Sequence, residues 1–105
     1  MKKRSNTCCV LVTSGPTRAY IDRVRYIANT SSGALGARIV EALVGRGFPV
    51  IHFMGKGSEP PAVSAREMLE TLDIETFEDL LWAIHSIAGR NDIKAVVHAM
   101  AVLDY

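Results

Sequence analysis

Long hydrophobic runs are missing from this chain. No apolar stretch approaches the roughly 20 residues that a membrane-spanning helix needs, so a transmembrane helix is excluded at the outset. An excess of one charge is missing as well. Twelve Lys and Arg face 11 Asp and Glu, which leaves no electrostatic footprint for nucleic acid or for an anionic membrane surface. Cysteine is scarce. Cys8 and Cys9 are adjacent, with no second cluster, so neither a zinc site nor a disulfide framework is indicated. Neighbours on a strand point to opposite faces, which places the two poorly for bonding each other. They read as small buried hydrophobes of a reducing compartment. Met1–Arg4 imitates the basic start of a signal peptide, but the apolar segment behind it, Cys8–Val12, is too short. The cytoplasm is the expected location. Internal repeats and low-complexity tracts are absent too, and 105 residues allow one globular unit at most.

What the chain does contain is an alternation of strand and helix patterns. Cys8–Val12 is apolar on both faces, as a buried parallel strand is. Ile39, Val40, Leu43 and Val44 recur at helical spacing, and Gly45-Arg-Gly47 supplies a left-handed stop. Val50–Met54 reads as a second strand, closing a β-α-β unit, and Gly55–Pro61 as a loop. A short alternating strand is expected near Leu72 and Ile74. Thr76 then opens a helix whose apolar stripe is Phe77, Leu80, Leu81, Ile84, Ile87 and Ala88, and Lys94–Val102 forms a further strand. The alternation predicts an α/β fold, a Rossmann-like parallel sheet with flanking helices.

The segment Thr13–Gly36 joins the first strand to the first helix and carries most of the polar chemistry. It lacks the tight dinucleotide fingerprint, in which glycines follow the strand at once. Gly15 sits where the strand ends, but Gly33 and Gly36 come only after a detour carrying Arg18, Asp22, Arg23, Arg25 and Asn29. A helix opening on Ser31-Ser32-Gly33 presents unpartnered amides and the positive end of the helix dipole, a natural phosphate site. Ser31 or Ser32 can cap it. Spacing alone leaves two readings open: a loop for several phosphates and a carboxylate, or an ordinary surface loop with solvated charges.

The run Thr13-Ser-Gly-Pro-Thr-Arg18, Ile21-Asp22, Val24-Arg25-Tyr26-Ile27, Asn29, Ser31-Ser-Gly33 and Gly36, with Ala101-Val-Leu-Asp-Tyr105 at the end, resembles phosphopantothenoylcysteine synthetase. The resemblance covers nearly the whole chain. It implies a ligase of coenzyme A biosynthesis that activates the carboxylate of 4'-phosphopantothenate with CTP (or ATP), forming an acyl-nucleotidylate that the amine of cysteine then attacks. Mg2+ and a homodimer are implied with it. Position by position, Asn29 matches the family's catalytic asparagine at the acyl centre. Gly15, Pro16, Thr17, His98, Ala99, Met100 and Asp104 match its nucleotide-binding positions. Arg25, Ser31, Ser32, Gly33 and Gly36 match its phosphate and substrate positions. Ala19-Tyr20, Arg23 and Ala34-Leu35 depart from the residues common in the family, which bears on substrate selectivity.

The resemblance also implies a synthetase domain that extends further, so residues 1–105 are expected to be its N-terminal part, without the decarboxylase domain and inactive alone. Two other readings stand beside the ligase. One is an NADP-binding oxidoreductase, against which the glycine spacing counts; the strand ending Met54-Gly-Lys56-Gly57 also offers no acid for a ribose. The other is a non-catalytic nucleotide-binding module. His52 is expected to be a hydrogen-bonded structural histidine, and His85 a solvated one.

Overall fold

Parallel pairing of apolar strands builds the centre of the chain. A computed structural model describes residues 8–102. Its strands are β1 (Cys9–Pro16), β2 (Arg18–Tyr20), β3 (Tyr26–Ala28), β4 (Val50–Gly55), β5 (Leu69–Ile74) and β6 (Ile93–Ala101). Its α-helices are α1 (Ala34–Gly45) and α2 (Phe77–Ile87), with a short 3-10 helix at Arg66–Met68. The main sheet runs β5-β4-β1-β6, with β1 pairing in parallel to both β4 and β6, and β4 to β5. The parallel α/β layer expected from the alternation is what the structure shows. Among the described residues no helix is long and apolar enough to cross a membrane.

Each face of the sheet carries its own apolar cluster because alternate residues of a strand point to opposite sides. Val10, Val12 and Val50 meet Val40 and Val44 of α1, whereas Cys9, Leu11, Ile51, Phe53 and Ile74 meet Leu80 and Ala83 of α2. Cys9 belongs to the second cluster and Cys8 packs against the first, so the two thiols do lie on opposite faces and both are free. α1 stops as its glycines require. Gly47 has φ 90°, its N–H donates to Val44 O at 3.0 Å, and that of Phe48 donates to Leu43 O at 3.0 Å. This Schellman arrangement satisfies the last carbonyls. α2 opens on a capping box between Thr76 and Asp79.

Three expectations change. β1 extends to Pro16, four residues beyond Val12, because Ser14, Gly15 and Pro16 continue the register with Ala99, Met100 and Ala101. The segment behind it holds a small antiparallel hairpin, β2–β3, closed by Asp22, whose carboxylate accepts from the N–H groups of Val24 and Arg25 at 2.9 Å each. Third, the buried line of α2 is Leu80, Ala83 and, in part, Ile87, while Leu81 and Ile84 face solvent with Trp82, which is 74% exposed. The apolar arc of the helix is wider than the strip of sheet beneath it. His85 is exposed, as expected.

Candidate functional site

The winding of the chain singles out one place on the sheet. From β1 it moves through α1 to β4 and on to β5, then returns through α2 to the opposite side of β1 as β6. The direction reverses between β1 and β6, and in open α/β sheets ligands bind beyond the carboxyl ends of strands at such a switch point. Gly15 and Pro16 lie there, paired with Met100 and Ala101. Thr17 and Asn29 close over the same strand end. Ala101 O accepts from Thr17 N at 3.2 Å, from Thr17 Oγ1 at 3.3 Å and from Asn29 Nδ2 at 2.8 Å. The Oδ1 of Asn29 is buried without a hydrogen-bond partner. That is a costly state for an amide oxygen unless something else supplies a donor.

Beside this crevice stands the start of α1. Gly33 has φ 79° and is the N-cap, with no side-chain cap of its own; instead Ser32 Oγ accepts from Ala34 N at 3.2 Å. The first turn of α1 carries no acidic residue, so the partial positive charge of the helix start is left uncompensated. α2 differs: Glu78 and Asp79 occupy its first turn, and Asp79 accepts from the amides of Glu75 and Thr76. Of the two α-helix starts among the described residues, only that of α1 is electrostatically open to an anion. Gly36 lies buried against β1, where a Cβ built on it would stand 2.0 Å from Ser14 Cβ.

The remaining sequence candidates fall in different places. His98 is exposed on β6, hydrogen-bonded through Nδ1 to Thr13 Oγ1 at 2.6 Å. Ala99 is half-buried beside it, whereas the side chain of Met100 turns into the core. Arg25 sits at the hairpin turn, exposed, with its guanidinium held by Asp22; that contact holds the Asp22 carboxyl below its usual range. Asp104 lies outside the described residues. Ser31 is half-buried and Ser32 exposed at the helix start. The structure thus brings Gly15, Pro16, Thr17 and Asn29 onto one strand end, and Gly33 beside Gly15, while Arg25 lies apart on the hairpin.

Several contributors were missed in the sequence. Pro16 crosses directly above the end of β4, so a Cβ on Gly55 would lie 2.2 Å from Pro16 O. The chain then reaches the end of β5, where Arg18 N donates to Glu75 O at 2.6 Å. Glu75 gathers Arg18 (3.2 Å), the Tyr20 hydroxyl and Lys56 (4.0 Å), and Arg18 stacks 4.2 Å from the centre of the Tyr26 ring. The Tyr20 hydroxyl is the first cause of the lowered Glu75 pKa. In a dinucleotide fold the space beyond the second strand receives the ribose; here Pro16 and β2 run across that edge. This geometry argues against the NADP reading. Ser58, buried between Gly15 and Gly33, was also missed. Gly55, before Lys56, was the signal that backbone packs closely there.

Residues 6–105 match the family described as the DNA/pantothenate metabolism flavoprotein C-terminal domain. The chain belongs to this family. It is 42% identical over 96 residues to the coenzyme A biosynthesis bifunctional protein CoaBC of Thermococcus kodakarensis, covering 91% of this chain and 23% of that protein. It is 40% identical over 98 residues to CoaBC of Escherichia coli K12, with 91% and 22% covered. Among solved structures, the DNA/pantothenate metabolism flavoprotein from Streptococcus pneumoniae superposes with a TM-score of 0.83 at 35% identity, over 93% of this chain and 41% of that one. A Cab2 variant in complex with phosphopantothenate-cysteine shares the fold, with a TM-score of 0.75 at 22% identity over 95% and 48%. The chain spans under a quarter of the length of these curated relatives. The family recognised from the Thr13–Gly36 motif is therefore the one the comparisons show.

Proposed function

We propose that the protein is a phosphopantothenate–cysteine ligase of coenzyme A biosynthesis, with this chain supplying the switch-point crevice. The observation that carries the reading is the convergence of the β1 and β6 ends, Asn29 and the uncompensated start of α1, in a chain that belongs to the pantothenate-metabolism family. Gly15–Thr17 and His98–Met100 form the floor on which the nucleotide, CTP or ATP, lies. Ser31, Ser32 and Gly33 hold a phosphate at the helix start, where donors and dipole point the same way. Arg25, paired with Asp22 on the hairpin away from this strand end, is given no part in it. The carboxylate of 4'-phosphopantothenate attacks the α-phosphorus and pyrophosphate leaves. Cysteine's amine then attacks the acyl carbon, and the nucleoside monophosphate leaves.

Asn29 faces the second step. One N–H of its amide is bound to Ala101 O, which holds the side chain in place; the other N–H is a donor for the oxyanion that forms as cysteine adds. An amide also brings no charge to repel a phosphate. Among the described residues no group of three His, Cys, Asp or Glu side chains converges as a metal site. Mg2+ therefore enters the proposal only as companion to the nucleotide's phosphates, with no step assigned to it. The protein is taken to work as a homodimer in the cytoplasm.

Single-turnover kinetics of Asn29→Ala in the full-length synthetase test the reading. The variant should release pyrophosphate in the first turnover, then form product about 100–1000-fold more slowly, the usual cost of one oxyanion donor. Equal loss in both steps refutes the assignment of Asn29. Absence of CTP- or ATP-dependent pyrophosphate release by the full-length synthetase to which this chain contributes the crevice refutes the function.

A further inference from the structure

Ser58 occupies the point where three glycine-lined segments meet. A Cβ on Gly15, at the end of β1, would stand 2.7 Å from Ser58 Cβ, and one on Gly33, at the start of α1, 2.5 Å. The hydroxyl of Ser58 donates to the carbonyl of Gly55, at the end of β4. Gly15 and Gly33 both have positive φ, so each has a backbone reason to be glycine as well as a contact with Ser58. The next residue completes the grip: Glu59 N donates to Ser32 O at 2.8 Å, and the Glu59 carboxylate pairs with Arg38 of α1 at 2.7 Å.

That last backbone bond has a directional consequence. A trans peptide is planar, and its carbonyl and N–H point opposite ways. With Ser32 O turned toward Glu59, the Gly33 N–H must turn away from the Gly55–Pro61 loop. The amide that opens α1 is thus aimed before any ligand arrives, and preorganised donors need no reorganisation when charge appears.

We propose that Ser58 is a positioning residue for the phosphate-binding start of α1: it spaces Gly33 from Gly15 and, with Glu59, sets the Ser32–Gly33 peptide so that its N–H faces the ligand. This rests on the ligase reading and adds to it a residue, outside the Thr13–Gly36 motif, that sets affinity for the phosphate-bearing substrate. Ser58 touches no substrate itself. Its influence should appear in the binding of 4'-phosphopantothenate or of the nucleotide triphosphate, and not in the use of cysteine.

The test compares wild-type protein with Ser58→Gly, which removes the spacer, and Ser58→Cys, which keeps its bulk. Calorimetric titration with 4'-phosphopantothenate and with CTP should show at least one of the two weakened about tenfold or more in Ser58→Gly, a loss of the size one misaligned charge-assisted contact produces, and largely restored in Ser58→Cys. In the full-length synthetase, KM for cysteine should stay unchanged. Amide hydrogen exchange, read without ligand, should quicken in Ser58→Gly at Glu59, whose N–H is held by Ser32 O, and at Ala37, whose N–H is held by Gly33 O, while α2 keeps its protection. Unchanged affinity for both ligands, or exchange that quickens throughout the sheet, overturns the positioning role. Wild-type protein that binds neither ligand overturns the ligase reading instead, and exchange at Ala37 and Glu59 then still shows whether Ser58 holds the helix start.

Discussion

Gly36 is where the closeness of α1 to β1 can be measured most directly. A single added methyl would place Cβ 2.0 Å from Ser14 Cβ, 2.9 Å from Ser14 Oγ and 3.2 Å from Ser14 Cα. Ser14 cannot retreat. It is fully buried, sits in the parallel ladder between Met54 and Ala99, and its hydroxyl is bonded to His52 Nε2 at 2.6 Å. The strain must therefore go into lifting the first turn of α1, and the cost belongs at the upper end of the overpacking range, about 3 kcal/mol. For a domain of this size about 4–8 °C is lost per kcal/mol, so Gly36→Ala should lower Tm by about 12–24 °C. Gly45→Ala is the matched control on the same helix. It has no atom within 4 Å of the new Cβ and no positive φ, and should stabilise by about 0.4–1 kcal/mol by restricting the unfolded chain. Thermal unfolding followed by circular dichroism reads both variants. An unchanged midpoint in Gly36→Ala would refute the argument, because it would mean that α1 does not touch β1 at Ser14.

Three further outcomes are expected. Burial holds His52 below its ordinary pKa, so the unfolded chain takes up a proton near pH 6.5 while the folded chain does so only at lower pH. Stability should then fall as pH drops below about 6.5, by up to about 1.4 kcal/mol per unit; urea titrations between pH 7.5 and 5, read at about those limits, should show a shallower fall in His52→Gln. Thr76→Ala breaks the capping box of α2 and should cost about 1 kcal/mol, seen as a lower urea midpoint at unchanged slope; an unmoved midpoint would mean the cap contributes nothing. Trp82→Ala should alter stability by less than about 0.5 kcal/mol, since the ring is mostly in solvent; a large loss would place Trp82 in a packed contact.

Much of the fold was legible because its signals are local. The apolar run at Cys8–Val12, the helical spacing from Ile39 to Val44 with Gly47 behind it, and the Thr76–Asp79 start each report a preference that neighbouring residues enforce on one another. The extension of β1 through Gly15 and Pro16 was not legible. A Ser-Gly-Pro sequence carries turn signals, and only β6, some 85 residues away in chain order, as in the Thr13–His98 bond, supplies the ladder that overrides them. The buried line of α2 was misplaced for a related reason: periodicity identifies an apolar arc, but the sheet beneath decides which part of the arc is covered.

The amino-acid order by itself determined the α/β class and the family. Composition, period and motif spacing are properties of the chain, and they survive without coordinates. The tertiary structure alone decided what the candidate site residues meet. It put the switch point between β1 and β6, tied Asn29 to Ala101, ran Pro16 across the end of β4, and set Ser58 between Gly15 and Gly33. Each of these is a contact between segments far apart in sequence. Such contacts depend on which strands become neighbours and on how closely backbones approach, and neither quantity is encoded at any single position.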